Sequence, residues 1–186
     1  KHVLCEKPLA TDHAHALEMA EAARAAGVVN MINLLHRDIP AMHAAARMIA
    51  DGAIGRVRHV EASYLQSWLT QPAWGDWRTD PTWLWRVSTA HGSTGVLGDV
   101  GIHILDLAAF VAGGDPVELS CRLKTFGKVA GGRIGEYVLD ANDSAVMHLE
   151  FDNGAIGTVT ATRFAAGHHN DLYVRVYGDL GGLEAG

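Results

Sequence analysis

The feature that most constrains the fold of this chain is a change of texture near Gly55. Ahead of it, short apolar runs alternate with residues at helical spacing. Behind it, most of the chain reads as strands. Lys1 to Cys5 is a short apolar run broken by Glu6-Lys7-Pro8, because the residue before a proline is pushed towards extended conformations. Thr11 or Asp12 can cap a helix that carries Ala14, Leu17, Ala20 and Ala23 on one side and ends at Gly27. Val28 to Ile32 is a second apolar run. Strand, helix and strand with short joints are the grammar of a parallel sheet, so residues 1–34 read as the closing part of a doubly wound α/β domain.

The rest, residues 35–186, reads as a second, α+β domain. Pro40 suits the first turn of a helix over Ala41 to Ala50, which Asp51-Gly52 closes. Val57 to Trp68 alternates like a half-buried strand, and a loop rich in tryptophan follows (Trp74, Trp77, Trp83, Trp85). A helix is expected from about Asp99 to Ala112, stopped by Gly113-Gly114. Strands are expected over about 117–126, 143–151, 155–164 and 172–178, with a tight turn at Asp152-Asn153-Gly154 and a mobile loop at Gly131 to Ile134. The outcome is a mostly antiparallel open sheet with helices on one face. The other face, left uncovered and apolar, predicts a homo-oligomer.

Composition removes several classes of function. A net charge of -6 with no basic run argues against nucleic-acid binding. No apolar stretch approaches the ~20 residues of a membrane-spanning helix, and no export leader is evident, so a cytoplasmic setting is expected. Cys5 and Cys121, far apart and without a CxxC, read as free thiols. Position 1 is a lysine leading straight into an apolar run, and Gly178 to Gly186 reads as a hairpin cut off after its turn, so the chain is expected to be an internal piece of a longer protein.

Three groups of residues can carry chemistry. Lys7 stands at the carboxyl end of a parallel strand, where ligands of open α/β sheets bind; it reaches a substrate hydroxyl or a cofactor there, or is a surface lysine on a turn. Asp99, His103 and Asp106 share one face of an otherwise apolar helix, and a carboxylate that fixes a histidine makes it a general base near neutral pH. The bland alternative is that Asp99 is an N-cap and His103 a satisfied core histidine. The third group is Trp85-Arg86, able to stack on a ring and hold a phosphate or carboxylate, with His168-His169-Asn170-Asp171. Adjacent histidines in a strand point to opposite faces, so His168 and His169 belong to a loop rather than to a metal, and no metal is expected. His13 and His15 read as solvent-facing.

Taken together, these segments resemble the glucose–fructose oxidoreductase and inositol dehydrogenase family. Lys1-His2-Val3-Leu4-Cys5-Glu6-Lys7-Pro8-Leu9-Ala10 looks like its Glu-Lys-Pro segment, and Gly98-Asp99-Val100-Gly101-Ile102-His103 through Asp106-Leu107 is similar to its second motif. Tyr64 to Trp68, Trp85-Arg86 and the stretch from Asn142-Asp143 to Gly178 look most like the levoglucosan-dehydrogenase-like sugar dehydrogenase branch. The resemblance implies a Rossmann dinucleotide domain ending near residue 34, followed by a substrate domain. It implies NAD or NADP as cofactor and a sugar or polyol as substrate. Lys7, Asp99 and His103 would be catalytic: His103 takes the proton of a hydroxyl, Lys7 hydrogen-bonds the same oxygen, and Asp99 orients His103 or binds the neighbouring hydroxyl. Glu6, Lys7, Pro8, Asn33, Trp85 and Arg86 would lie along the cofactor, Asn170 would contact substrate, and the Lys7–Pro8 bond would be cis. The family's glycine-rich phosphate loop would precede residue 1, and a further strand would follow Gly186. A ligand-sensing regulator on the same fold is the main alternative, disfavoured by the retained Lys7, Asp99 and His103. A metal-dependent hydrolase using His103, Asp99 and His168 or His169 is the other.

Overall fold

A computed structural model describes residues 1–72 and 74–186 of the chain. It divides into two compact units, Lys1–His36 and Arg37–Gly186.

In the first unit, β1 (Val3–Glu6) pairs in parallel with β2 (Asn30–Asn33), joined by helix α1 (His13–Ala25). Asp12 caps α1, accepting a hydrogen bond from the His15 backbone N–H at 3.0 Å. The Lys7–Pro8 bond is cis, as the resemblance implied. No residue of α1 is buried. On the strands and beside them, Leu4 is 70% exposed, Val29 68% and Met31 61%. Parallel sheets are normally covered on both faces, so these side chains form an open apolar surface rather than a core.

The second unit is built on a six-stranded sheet. Helix α2 (Pro40–Ala50) starts with proline at its first turn and buries Met42, Ala45 and Ile49, a stripe at helical spacing. Strand β3 (Val57–Gln66) alternates buried and open positions along its length. The aromatic loop holds a single helical turn, α3 (Pro81–Leu84). The principal helix α4 (Ile102–Ala112) continues from a wider π turn over Leu97–Gly101 and stops at Gly113, whose φ of 65° is the left-handed conformation of a helix C-cap. Strand β4 (Pro116–Lys124) follows, then a short hairpin of β5 (Arg133–Ile134) and β6 (Tyr137–Val138). This hairpin corrects the expectation of a mobile loop at Gly131 to Ile134; glycines at 131, 132 and 135, all at positive φ, let so short a segment reverse and pair with itself. Strands β7 (Ser144–Phe151), β8 (Ile156–Thr162), β9 (Asn170–Gly178) and β10 (Gly182–Ala185) complete the unit.

The sheet order is β10-β9-β3-β8-β7-β4, with β3 and β8 parallel and every other pair antiparallel. The expected strands and the mostly antiparallel sheet are therefore present. The parallel pair at its centre was not evident, because β3 meets β8 across about ninety residues of chain. α2 and α4 cover one face over a core that includes Ile104, Leu107, Val111, Met147, Val159 and Val174. The opposite face is mixed rather than apolar: register aligns Ser63, Thr158, Thr160, Glu61 and Arg175 with Val146, Ile156 and Tyr177 on it.

Lys128 and Asp143 form an ion pair at 2.7 Å with both side chains fully buried. Asp143 also accepts the Phe126 backbone N–H at 2.8 Å. Removing one partner strands the other charge without water. Lys128→Met is expected to destabilise the second unit by about 3–5 kcal/mol, and Lys128→Met with Asp143→Asn by less. Urea unfolding read by tryptophan fluorescence checks this, since all five tryptophans lie in the second unit.

Candidate active site

The sequence-predicted residues of the first unit gather at the carboxyl ends of its two strands. Glu6 stands opposite Asn33 in the register, and Asn33 Nδ2 donates to Glu6 Oε1 at 2.6 Å. Lys7 follows Glu6 directly. His36, which the sequence reading did not single out, lies near enough to feel the Lys7 charge. Burial first, and then that charge, push the pKa of its imidazole down from the ordinary histidine value.

The second unit builds a more elaborate cluster around Asp99. This residue is not an N-cap: it lies inside the π turn, with its carboxylate turned to two arginines. Arg86 Nη1 donates to both carboxylate oxygens at 3.2 Å. Arg163 Nη2 donates to Oδ2 at 2.9 Å, and its Nη1 donates to the Arg86 carbonyl at 2.9 Å. The π turn is held from outside, as Leu97 N–H donates to Asn142 Oδ1 at 3.1 Å and Val96 N–H to the Asn142 carbonyl at 2.8 Å. Gly95 packs so closely on Asn142 that any Cβ there would collide with it. His103, one turn beyond Asp99, is 5% exposed. Asp106, expected on the same face, pairs with Arg37, whose Nε donates to it at 2.7 Å.

The aromatic loop holds the guanidinium groups. Arg163 lies 5.0 Å from the Trp68 ring centre, and Arg86 4.7 Å from Trp85 and 5.5 Å from Trp83. Trp74 stacks on Trp83, with centroids 5.7 Å apart, and its indole N–H donates to His169 Nε2 at 2.6 Å. An indole nitrogen only donates, so that histidine nitrogen carries no proton. His168 Nδ1 is 2.7 Å from Asp171 Oδ2. Among the described residues, no group of three or more His, Cys, Asp or Glu side chains is placed to hold a metal.

A neutral network completes the edge. Gln66 Nε2 donates to Asn170 Oδ1 at 2.8 Å, and Trp68 Nε1 donates to Gln66 Oε1 at 3.1 Å. The Tyr64 hydroxyl bonds with Asn170 and Gln66 and feels the charge of Asp99. Tyr64, Gln66 and Arg163 therefore mark the carboxyl ends of the parallel pair β3 and β8, and Asn170 opens β9 beside them.

Residues 42–184 match the GFO/IDH/MocA C-terminal domain. The chain belongs to the GFO/IDH/MocA family. It is 30% identical to levoglucosan dehydrogenase of Pseudarthrobacter phenanthrenivorans, over 98% of this chain and 48% of that protein. Among solved structures, an oxidoreductase domain protein from Kribbella flavida is 38% identical with a TM-score of 0.83, over 99% of this chain and 49% of the other. Levoglucosan dehydrogenase in complex with NADH and levoglucosan is 30% identical with a TM-score of 0.83, over 99% of this chain and 47% of the other. The chain thus spans about half the length of these relatives. The sugar-dehydrogenase branch expected from the sequence is the one that levoglucosan dehydrogenase represents.

Arg163 was missed by the sequence reading, although a signal existed. Gly157, Val159 and Ala161 are the buried positions of β8, and the same alternation carries an arginine inward at 163. Tyr64 supplies a test of the cluster. Burial, more than the Asp99 charge, pushes its phenol above the ordinary tyrosine range of about 10, while its bonds to Asn170 and Gln66 pull the other way. The folded chain then holds this proton after the unfolded chain has lost it, so stability falls as pH rises through that window. Alkaline unfolding curves should show this slope, and Tyr64→Phe should remove it.

Proposed function

We propose that this chain is part of a nicotinamide-dependent dehydrogenase acting on a hydroxyl of a sugar or polyol, with residues 1–34 forming the closing part of a larger dinucleotide-binding domain. The observation that carries the reading is the placement of a buried His103 one helical turn after a carboxylate, Asp99, which is held by two guanidinium groups beside the polar edge of Tyr64, Gln66 and Asn170. The likeness to sugar dehydrogenases supports the same class. The open apolar surface of the first unit supports its place in a larger sheet.

In this reading, His103 takes the proton from the substrate hydroxyl. Lys7 donates a hydrogen bond to that oxygen and stabilises the charge that develops on it. Asp99 orients His103 or accepts from the neighbouring hydroxyl. Asn170, fixed by Gln66, contacts a further substrate group. A nicotinamide dinucleotide, NADH in the levoglucosan dehydrogenase complex, supplies the hydride acceptor when bound. The half-buried Asn33 amide and the exposed Glu6 carboxylate suit an amide- and ribose-bearing ligand, and Lys7 and Pro8 adjoin them. Trp85, with part of its indole exposed, and Arg86 would border the same ligand.

Two measurements test the proposal. In the full-length protein, Lys7→Ala and His103→Ala should each lower kcat by about a hundredfold or more with the circular dichroism spectrum unchanged, and Asp99→Asn should lower it less. Full activity in either alanine variant would remove that residue from the mechanism. The uncovered sheet face, with Val146, Ile156 and Tyr177 set among polar residues, further suggests a homo-oligomer. Light scattering at micromolar concentration should give a multiple of the protomer mass, and Ile156→Asp together with Val146→Asp should reduce it.

A further inference from the structure

Arg163 has no part in the reaction just described, yet its side chain is 1% exposed. An arginine keeps its charge, and a charge without water needs close acceptors. Among the described residues, Asp99 is the carboxylate at hydrogen-bonding distance of Arg163, with the Asp143 charge acting from further off; the Arg86 carbonyl takes a second N–H and the Trp68 face lies against the plane. We propose that Arg163 is a positioning residue which, with Arg86, locks the Asp99 carboxylate as a fixed anion in one orientation, leaving His103 as the group that exchanges the proton. This rests on the proposed dehydrogenase function for its kinetic consequence, though not for the clamp itself.

Two features favour a clamp over a structural arginine. A buried charge is a poor way to add stability, since apolar side chains of similar volume do as well or better. The contacts are also divided between the two oxygens: Arg86 Nη1 spans both, and Arg163 takes Oδ2 from the buried side. Such a fork fixes the carboxylate plane as well as its charge. The charged and titratable groups facing Asp99 include Arg86 from the turn after α3, Arg163 from the end of β8 and Tyr64 from β3, with His103 one turn along its own helix, and the Asp143 carboxyl acts on Arg163 from before β7. Replacing Arg163 removes the cation on the buried side, and the remaining carboxylate then has more reason to take a proton.

The test uses the full-length protein, as wild type, Arg163→Met, Arg163→Lys and Asp99→Asn. The Asp99 carboxyl carbon is followed by NMR during a pH titration, with Asp99→Asn providing the assignment, and kcat/KM is measured across the same range. The Asp99 midpoint should rise by about one unit or more in Arg163→Met, and Arg163→Lys should return most of that shift. In Arg163→Met, kcat/KM should fall about tenfold at the acid end and recover as pH rises; Asp99→Asn should lack this recovery, and adding Arg163→Met to it should not restore it. Equal Asp99 midpoints in wild type and Arg163→Met would overturn the proposal, as would an unchanged pH profile scaled down uniformly. If Arg163→Met does not fold, Arg86→Met, which opens the fork from its more exposed side, should shift the same midpoint upwards, and no shift there would overturn it too. If wild type turns over no sugar with either nicotinamide dinucleotide, the proposed function fails, while the NMR titration still decides the clamp.

Discussion

The second unit is organised around one electrostatic demand, that of a guanidinium group shut away from water. Arg163 needs acceptors in the plane of its N–H groups and tolerates an aromatic face above it. Meeting that demand ties three distant segments together: the π turn bearing Asp99, the turn bearing the Arg86 carbonyl, and Trp68 just beyond β3. The five tryptophans of the 68–85 region acquire a physical reason from this. Several of them lie against a guanidinium or against one another, and the loop is held by those rings.

The same economy governs the neighbouring ion pair. The Lys128 and Asp143 side chains are both fully buried, and they pair with one another while also bonding the backbone around Phe126. Asp143 follows directly on Asn142, which grips the start of the π turn. The position of Asp99 is therefore fixed from its own helix, from the arginine fork and from the 142–143 corner. Under the proposed function, in which Asp99 and His103 act on one substrate, such redundant support would matter because small displacements of a catalytic group cost rate.

The two units differ in how far they stand alone. The second has a core spanning both helices and the sheet. The first has a parallel pair, one helix and exposed apolar side chains on its strands, yet it already gathers Glu6, Lys7, Asn33 and His36 at the carboxyl ends of those strands. Polar residues meet there because the strands are parallel and in register, so residues that close each strand become neighbours.

The local pattern of the sequence was enough to find most elements. Alternation marked β3, strand-like runs and the Asp152-Asn153-Gly154 turn marked β7, β8 and β9, helical spacing and caps marked α1, α2 and α4, and two short motifs pointed to Lys7, Asp99 and His103. Those signals are local: they depend on which face of one element is apolar and on which residue can end it. The hairpin at 133–138 escaped notice because strands of two residues carry no periodicity. The parallel pairing of β3 with β8, the meeting of Arg86 and Arg163 on one carboxylate, and the Tyr64, Gln66 and Asn170 network were decided only by the tertiary structure. Each joins residues tens of positions apart, and a side chain's charge or amide says that it needs a partner without saying which. Arg163 is the clearest case. Its inward position could be read from the alternation of β8, but its partner exists only once the sheet brings the end of that strand against the π turn that bears Asp99.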